Sequence, residues 1–157
     1  MNGFSDATLI AAIVGNGLLA GVFLAFSCGV SPGLRRVDDL TYLTVFRAIN
    51  RRIVNPVFMV VFLGAPLATA AATALHLAAP SQSSSAFVVA GLVLALFAFA
   101  VTALVNVPLN NALDAAPSDD ARQRADARDR FEQRWNRWNH VRAATSIAAF
   151  VLLVFAV

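Results

Sequence analysis

No lysine occurs among the 157 residues, and there is one glutamate, one tyrosine, one cysteine and two histidines. Each shortage closes a class of function. Without lysine the net charge of +3 rests on arginine alone, and the solvated basic domain that nucleic acid requires is missing, so no nucleic-acid partner is expected. The single Cys28 forbids an internal disulfide and any cysteine-based zinc or iron–sulfur site, and reads as a small packing residue. Charged residues make up only 13% of the chain, against about 25% in an ordinary soluble domain. No phosphate-binding glycine loop, nucleophile elbow or dinucleotide fingerprint is present.

What is present is apolar. Hydrophobic residues reach 59% and fall into runs long enough to cross a bilayer rather than fill a core. The expected fold is all-α: an antiparallel four-helix transmembrane bundle, one integral membrane domain over residues 1–157, with spans at about 7–30, 55–79, 86–107 and 138–157. A helical extension on the cytoplasmic side precedes helix 4. The first run has no Lys or Arg before it and exceeds a signal core, so it is expected to stay as a span. Ser31-Pro32-Gly33 should stop it. Within it Gly17, Gly21, Ala25, Gly29 and Gly33 form a small-residue stripe that admits another helix, in this chain or in a second copy as a homo-oligomer. Asn16, near mid-helix, needs an interior partner.

Residues 39–50 read as an amphipathic helix that buries Leu40, Leu43, Phe46 and Ala48. Asn55 is a natural N-cap for helix 2, with Pro56 at its first position. Pro66 should kink helix 2, and Pro80 should close it before a short polar connector at 80–85. Pro108 marks either a kinked end of helix 3 or a turn. Residues 115–130 read as a solvated helix laced with opposite charges. The first loop carries five arginines and the segment from 108 to 142 carries seven, which is all twelve. By the positive-inside rule both Arg-rich segments face the cytoplasm and both termini lie outside, in a bacterial inner (plasma) membrane.

The stretch from 130 to 142, RFEQRWNRWNHVR, is the least expected in such a chain. At about 100° per residue, Glu132, Trp135, Asn136, Asn139 and Arg142 share one helical arc with His140 at its edge, opposite Arg130, Arg134 and Arg137. Trp138 and Arg137 equally suit an interfacial belt. With the helix ends aligned, Asn55, Asn106 and Asn110 come to the same level as Trp135, Asn139, His140 and Arg142. His76 lies about a membrane thickness away, so a two-histidine metal or haem site is not expected. The spans also lack carboxylates for a di-iron centre, and no metal is expected.

Four segments, GLLAGVFLAFS (17–27), AINRRIVNPVFMVVFLG (48–64), NVPLNNAL (106–113) and WNRWNHVR (135–142), together resemble the anthrone oxygenase-like family of small four-span membrane proteins. The resemblance implies oxidation of a lipophilic, anthrone-like polycyclic substrate by O₂ without a cofactor. On that reading His140 is the base, Arg142 and Asn139 are oxyanion donors, and Trp135 or Trp138 is the wall of a flat slot. Asn55, Asn106 and Asn110 complete the substrate pocket. Two alternatives stay open: the cluster ties helix ends together, or the protein is a non-enzymatic carrier or assembly subunit docking through its Arg-rich loops.

Overall fold

The computed structural model describes residues 3–78 and 85–157, and every regular element among them is a helix. The Pro80 stop and most of the connector after it lie outside the described residues. α1 (Gly3–Ala25) passes through a π turn (Phe26–Val30) into α2 (Ser31–Leu34). Then come α3 (Asp39–Ile53), α4 (Pro56–Ala78) and α5 (Ser85–Val101). α5 continues through a second π turn (Thr102–Asn106) into α6 (Val107–Ala115), and α7 (Ala121–Val154) follows.

Two prolines account for the main departures from expectation. A proline inside a helix clashes with the carbonyl four residues back, here that of Cys28 or Leu104. Pro32 and Pro108 each follow a π turn, in which Ser31 N–H reaches the Phe26 carbonyl and Val107 N–H reaches that of Thr102, five residues back. The widened turn moves the offending carbonyl aside, so the helix continues. Ser31-Pro32-Gly33 is therefore no breaker, and Pro108 is neither a helix end nor a turn. The same plan thus occurs twice: an apolar helix, a π turn, a proline and a short continuation.

The third departure concerns α7, a single helix of 34 residues where an extension and a separate span were expected. At about 1.5 Å per residue it is roughly 51 Å long. α3 forms as expected, capped by the Asp38 carboxylate, whose Oδ1 accepts from Thr41 N at 3.1 Å. Its buried face is Tyr42, Leu43, Phe46 and Asn50, whereas Leu40 and Ala48 are exposed. The true apolar phase is the i, i+4 series 42, 46, 50.

Among the described residues, three continuous helices, Gly3–Leu34, Pro56–Ala78 and Ser85–Ala115, have the length and composition to cross a membrane. α1 packs on α4 and α7, and α5 packs on the same two. Small residues set the approach: a Cβ added at Gly15 would lie 2.9 Å from the Ala65 Cβ, and one at Gly17 would lie 3.1 Å from the Phe150 ring. Of the α1 stripe, Gly21, Gly29 and Gly33 face open space. Leu9, Ala72, Val88 and Leu153 form the core at one end, while Phe26, Tyr42, Phe46, Phe131 and Trp135 form it at the other. Asn16 finds the interior partner it needs, donating to the Thr69 hydroxyl at 2.9 Å.

Two arginines lock the second end. Arg128 of α7 donates to the carbonyls of Leu34 and Val37 and to Asp39 and Glu132, closing the C-terminus of α2. Arg47 of α3 does the same for α6 through the carbonyls of Leu113 and Ala116. Orphan helix carbonyls are natural acceptors for such forks. Burial pulls the Arg128 pKa down, but its bonds to Glu132 and Asp39 outweigh that and hold it above the ordinary value. It therefore stays charged over the Tyr42 ring, 4.4 Å from its centroid. Burial, reinforced by Glu132, pushes the Tyr42 phenol well above its usual pKa, so it stays neutral.

Candidate functional site

The arc foreseen on residues 132–142 exists. Trp135, Asn136, Asn139 and Arg142 are buried on α7, and Arg130, Arg134 and Arg137 are exposed opposite them. Asn139 is the hub of the buried face. Its Nδ2 donates to the Phe23 carbonyl at 3.1 Å and the Ser27 hydroxyl at 2.8 Å, while its Oδ1 accepts from Arg142 Nε at 3.0 Å. Arg142 is thereby held with its guanidinium 4.2 Å from the Phe23 ring centroid and 5.1 Å from that of Trp135. Only 7% of its surface is exposed, and no carboxylate pairs with it among the described residues.

Trp135 is fixed from three sides. Its indole N–H donates to Asn110 Oδ1 at 2.7 Å, its carbonyl accepts from Asn106 Nδ2 at 3.4 Å, and its ring packs on Phe46 at 4.9 Å between centroids. The second π turn places Asn106 at its last position and Asn110 one turn beyond it. That register lets both amides meet the same tryptophan. The first π turn contributes Ser27 in the same way. π turns recur at functional sites because they shift side chains off the regular helical lattice.

Arg142, Trp135 and Asn110 line a cavity of about 60 Å³, together with Asn50, Thr102 and an apolar wall that includes Phe23, Phe26, Ile53 and Phe58. Donors there outnumber acceptors: Asn50 Nδ2 has no partner, and Arg142 uses only Nε on protein groups among the described residues. Asn110 Oδ1 is already engaged by Trp135. A buried cation and an unmatched amide donor in an apolar chamber suit an oxygen carrying negative charge. Among the described residues no group of three or more His, Cys, Asp and Glu side chains is placed to hold a metal ion.

The remaining sequence-derived site residues sit elsewhere. Asn55 is exposed and caps α4, its Oδ1 accepting from Phe58 N at 3.0 Å, so it is not a pocket residue. His140 is exposed as well and does not line the cavity, because one residue beyond Asn139 is about 100° further round the helix. The edge of the arc was already outside. Trp138 is half-buried and also off the cavity. Asn106 and Asn139 brace the site from behind rather than line it. Asn106 Oδ1 and both polar atoms of Asn136 are buried without partners among the described residues. His76 is buried near the opposite end, with Nδ1 3.3 Å from the Ala72 carbonyl.

Sequence reasoning missed Phe23, Ser27, Asn50 and Thr102. Asn50 was findable, since it is in phase with Tyr42 and Phe46 on α3. Ser27 and Thr102 were not, because their positions depend on the π turns.

A family model described as anthrone oxygenase matches residues 57–152, so the chain belongs to that family. The match runs from α4 through most of α7 and includes Asn106, Asn110, Trp135, Asn139 and Arg142; α1 to α3 precede it. Comparison with curated proteins and with solved structures gave no match.

Proposed function

We propose that this member of the anthrone oxygenase family is a cofactor-independent membrane oxygenase for a flat, lipophilic, anthrone-like substrate. α7 supplies the fourth span of an antiparallel bundle from about residue 138 onward, and the arginine-rich end faces the cytoplasm. The observation that carries the reading is Arg142: a buried guanidinium without a carboxylate partner, opening on a cavity walled by aromatic rings. Such a charge is costly unless a ligand completes it.

The chemistry follows from the substrate. Loss of a proton from the CH₂ between the rings gives an enolate; only its oxygen-bearing edge enters the cavity of about 60 Å³, where the oxygen meets Arg142 and Asn50. Among the described residues no carboxylate or imidazole lines the cavity; in this scheme water takes that proton and the site binds the anion. The enolate passes one electron to O₂, and the radical pair joins to form a carbon–oxygen bond and a peroxide. The peroxide takes back the first proton from water; loss of the second proton from the same carbon, with O–O cleavage, then releases hydroxide, which joins that proton, leaving a ketone and one water. Fixed donors facing a developing oxyanion typically contribute about 10²–10³-fold each. His140 has no part in this scheme, which replaces the base expected from its position in the sequence.

The rival carrier reading gains some support from buried Asn16, Thr69, Thr102 and Ser146 at mid-bundle. It is weaker, because Asn16 and Thr69 bond to each other and the cavity beside Asn16 is only about 10 Å³, room for one water. O₂ consumption by the protein in nanodiscs with an anthrone tests the proposal. Arg142→Gln is expected to lose about 10²-fold or more, and His140→Ala to keep most of the rate. No O₂ consumption by the wild-type protein would overturn the oxygenase reading, and full activity in Arg142→Gln would remove Arg142 from it.

A further inference from the structure

Arg142 carries a charge that the described chain does not balance. A guanidinium keeps its proton in proteins, and this one lies inside the bundle with no carboxylate partner among the described residues. A charge taken out of water is costly unless something nearby pairs with it. The Phe23 and Trp135 rings and the Asn139 amide oxygen meet it, but all three are neutral. The charge that completes the site has therefore to come from solution.

The cavity itself says what kind of charge that is. Its volume of about 60 Å³ holds about two molecules the size of water, at about 30 Å³ each, so one small ion and a water fit. Its unmatched polar groups are donors. Asn50 Nδ2 has no partner, Arg142 spends only Nε on protein groups among the described residues, and Asn110 Oδ1 is taken by the Trp135 indole. Thr102 gives its hydroxyl to the Ala98 carbonyl. The remaining wall is apolar, so a strongly hydrated divalent ion such as sulfate would lose more water than these donors replace.

The way in favours the same class of ligand. The cavity reaches the surface at Val54 and Val107, which line it and are exposed. Arg51 and Arg52 directly precede Ile53 and Val54 on that rim; both are exposed, and neither has an ion pair among the described residues. Two such charges draw anions toward the opening and repel cations.

We propose that the Arg142 cavity binds a small monovalent inorganic anion of halide size, which is the resting counter-ion of the guanidinium and accepts from Asn50 Nδ2. The anion stands where an enolate oxygen would stand, so halide and substrate compete. That competition rests on the oxygenase reading; halide binding does not.

Iodide is the probe, because it quenches an indole on contact and Trp135 lines the cavity. Trp138 lies off the cavity, so Trp138→Phe leaves Trp135 as the one reporter. This protein, in a non-ionic detergent, is titrated with potassium iodide against potassium gluconate at constant ionic strength. Saturable quenching is expected, reversed by chloride but not by sulfate. Arg142→Gln should lose the saturable part, and Asn50→Leu, which keeps the charge, should weaken it about tenfold. Linear quenching with Arg142 intact, or quenching that chloride does not reverse, would overturn the site whether or not the variants fold. O₂ consumption with an anthrone keeps the two readings apart. Chloride should raise the apparent KM for the anthrone and leave kcat unchanged; a KM unmoved by chloride would overturn the shared position. Saturable iodide binding in a protein that consumes no O₂ leaves the anion site standing and removes the oxygenase reading. O₂ consumption without saturable iodide binding does the reverse.

Discussion

Replacing Arg142 with methionine keeps the apolar stem and removes the guanidinium, which separates a functional charge from a structural tie. The change loses the bond from Nε to Asn139 Oδ1 at 3.0 Å, worth about 1.5–3 kcal/mol for a charged donor. It also loses two cation–ring contacts, at 4.2 and 5.1 Å, worth about 0.5–2 kcal/mol each. Against these stands release from burying a charge that has no carboxylate partner, a penalty of several kcal/mol. The terms cancel to within about 2 kcal/mol, so the melting temperature should stay within about 5 °C of wild type. Asn139→Leu has no compensating gain. It drops the bonds to the Phe23 carbonyl and Ser27 hydroxyl and strands Arg142 Nε, at about 2–4 kcal/mol or roughly 5–15 °C. Thermal unfolding of both variants, followed by tryptophan fluorescence, gives the order. If Arg142→Met falls as far as Asn139→Leu, the guanidinium is holding helices together, and the case for a charge kept to meet a ligand collapses.

Close helix approach yields a second contrast: Gly15→Ala places a methyl 2.9 Å from the Ala65 Cβ and 3.1 Å from its Cα, at a cost of about 1–3 kcal/mol. Gly21→Ala meets nothing within 4 Å and should be neutral or gain up to about 1 kcal/mol; equal melting temperatures for the two would contradict the described α1–α4 contact. Reporter fusions at Val157 and near Ser118 should place the first outside and the second in the cytoplasm, and an active cytoplasmic reporter at Val157 would invert the proposed topology. The Thr41 hydroxyl and N–H bonds hold the Asp38 carboxyl below its usual pKa. Its capping contribution is therefore complete above the unfolded carboxylate range, near pH 4, and lost as pH falls through the lower folded value. The protection of the Thr41 amide, its exchange rate taken relative to the unfolded chain at the same pH, should fall below about pH 4 in wild type and change little with pH in Asp38→Asn, whose amide caps without titrating.

The amino-acid order by itself determined the class of molecule and the face that matters. Long uncharged runs can be satisfied only by helices in an apolar medium, because each helix bonds its own backbone. A period of about 100° was enough to sort Trp135, Asn136, Asn139 and Arg142 from Arg130, Arg134 and Arg137, since that sorting needs only the geometry of one helix. Asn16 announced its need for a partner for the same local reason. What only the tertiary structure decided were the features in which a second helix has a vote. Pro32 and Pro108 look like stops in sequence, yet neighbouring helices hold the chain on course through a π turn. Those turns alone bring Ser27 under Asn139, and Asn106 and Asn110 around Trp135. His140 and Asn139 are adjacent in the chain, one at the edge of the arc and the other on it. The packing of α7 turned one inward to the Phe23 carbonyl and left the other outside, because a step of about 100° is the difference between the inside and the outside of a bundle.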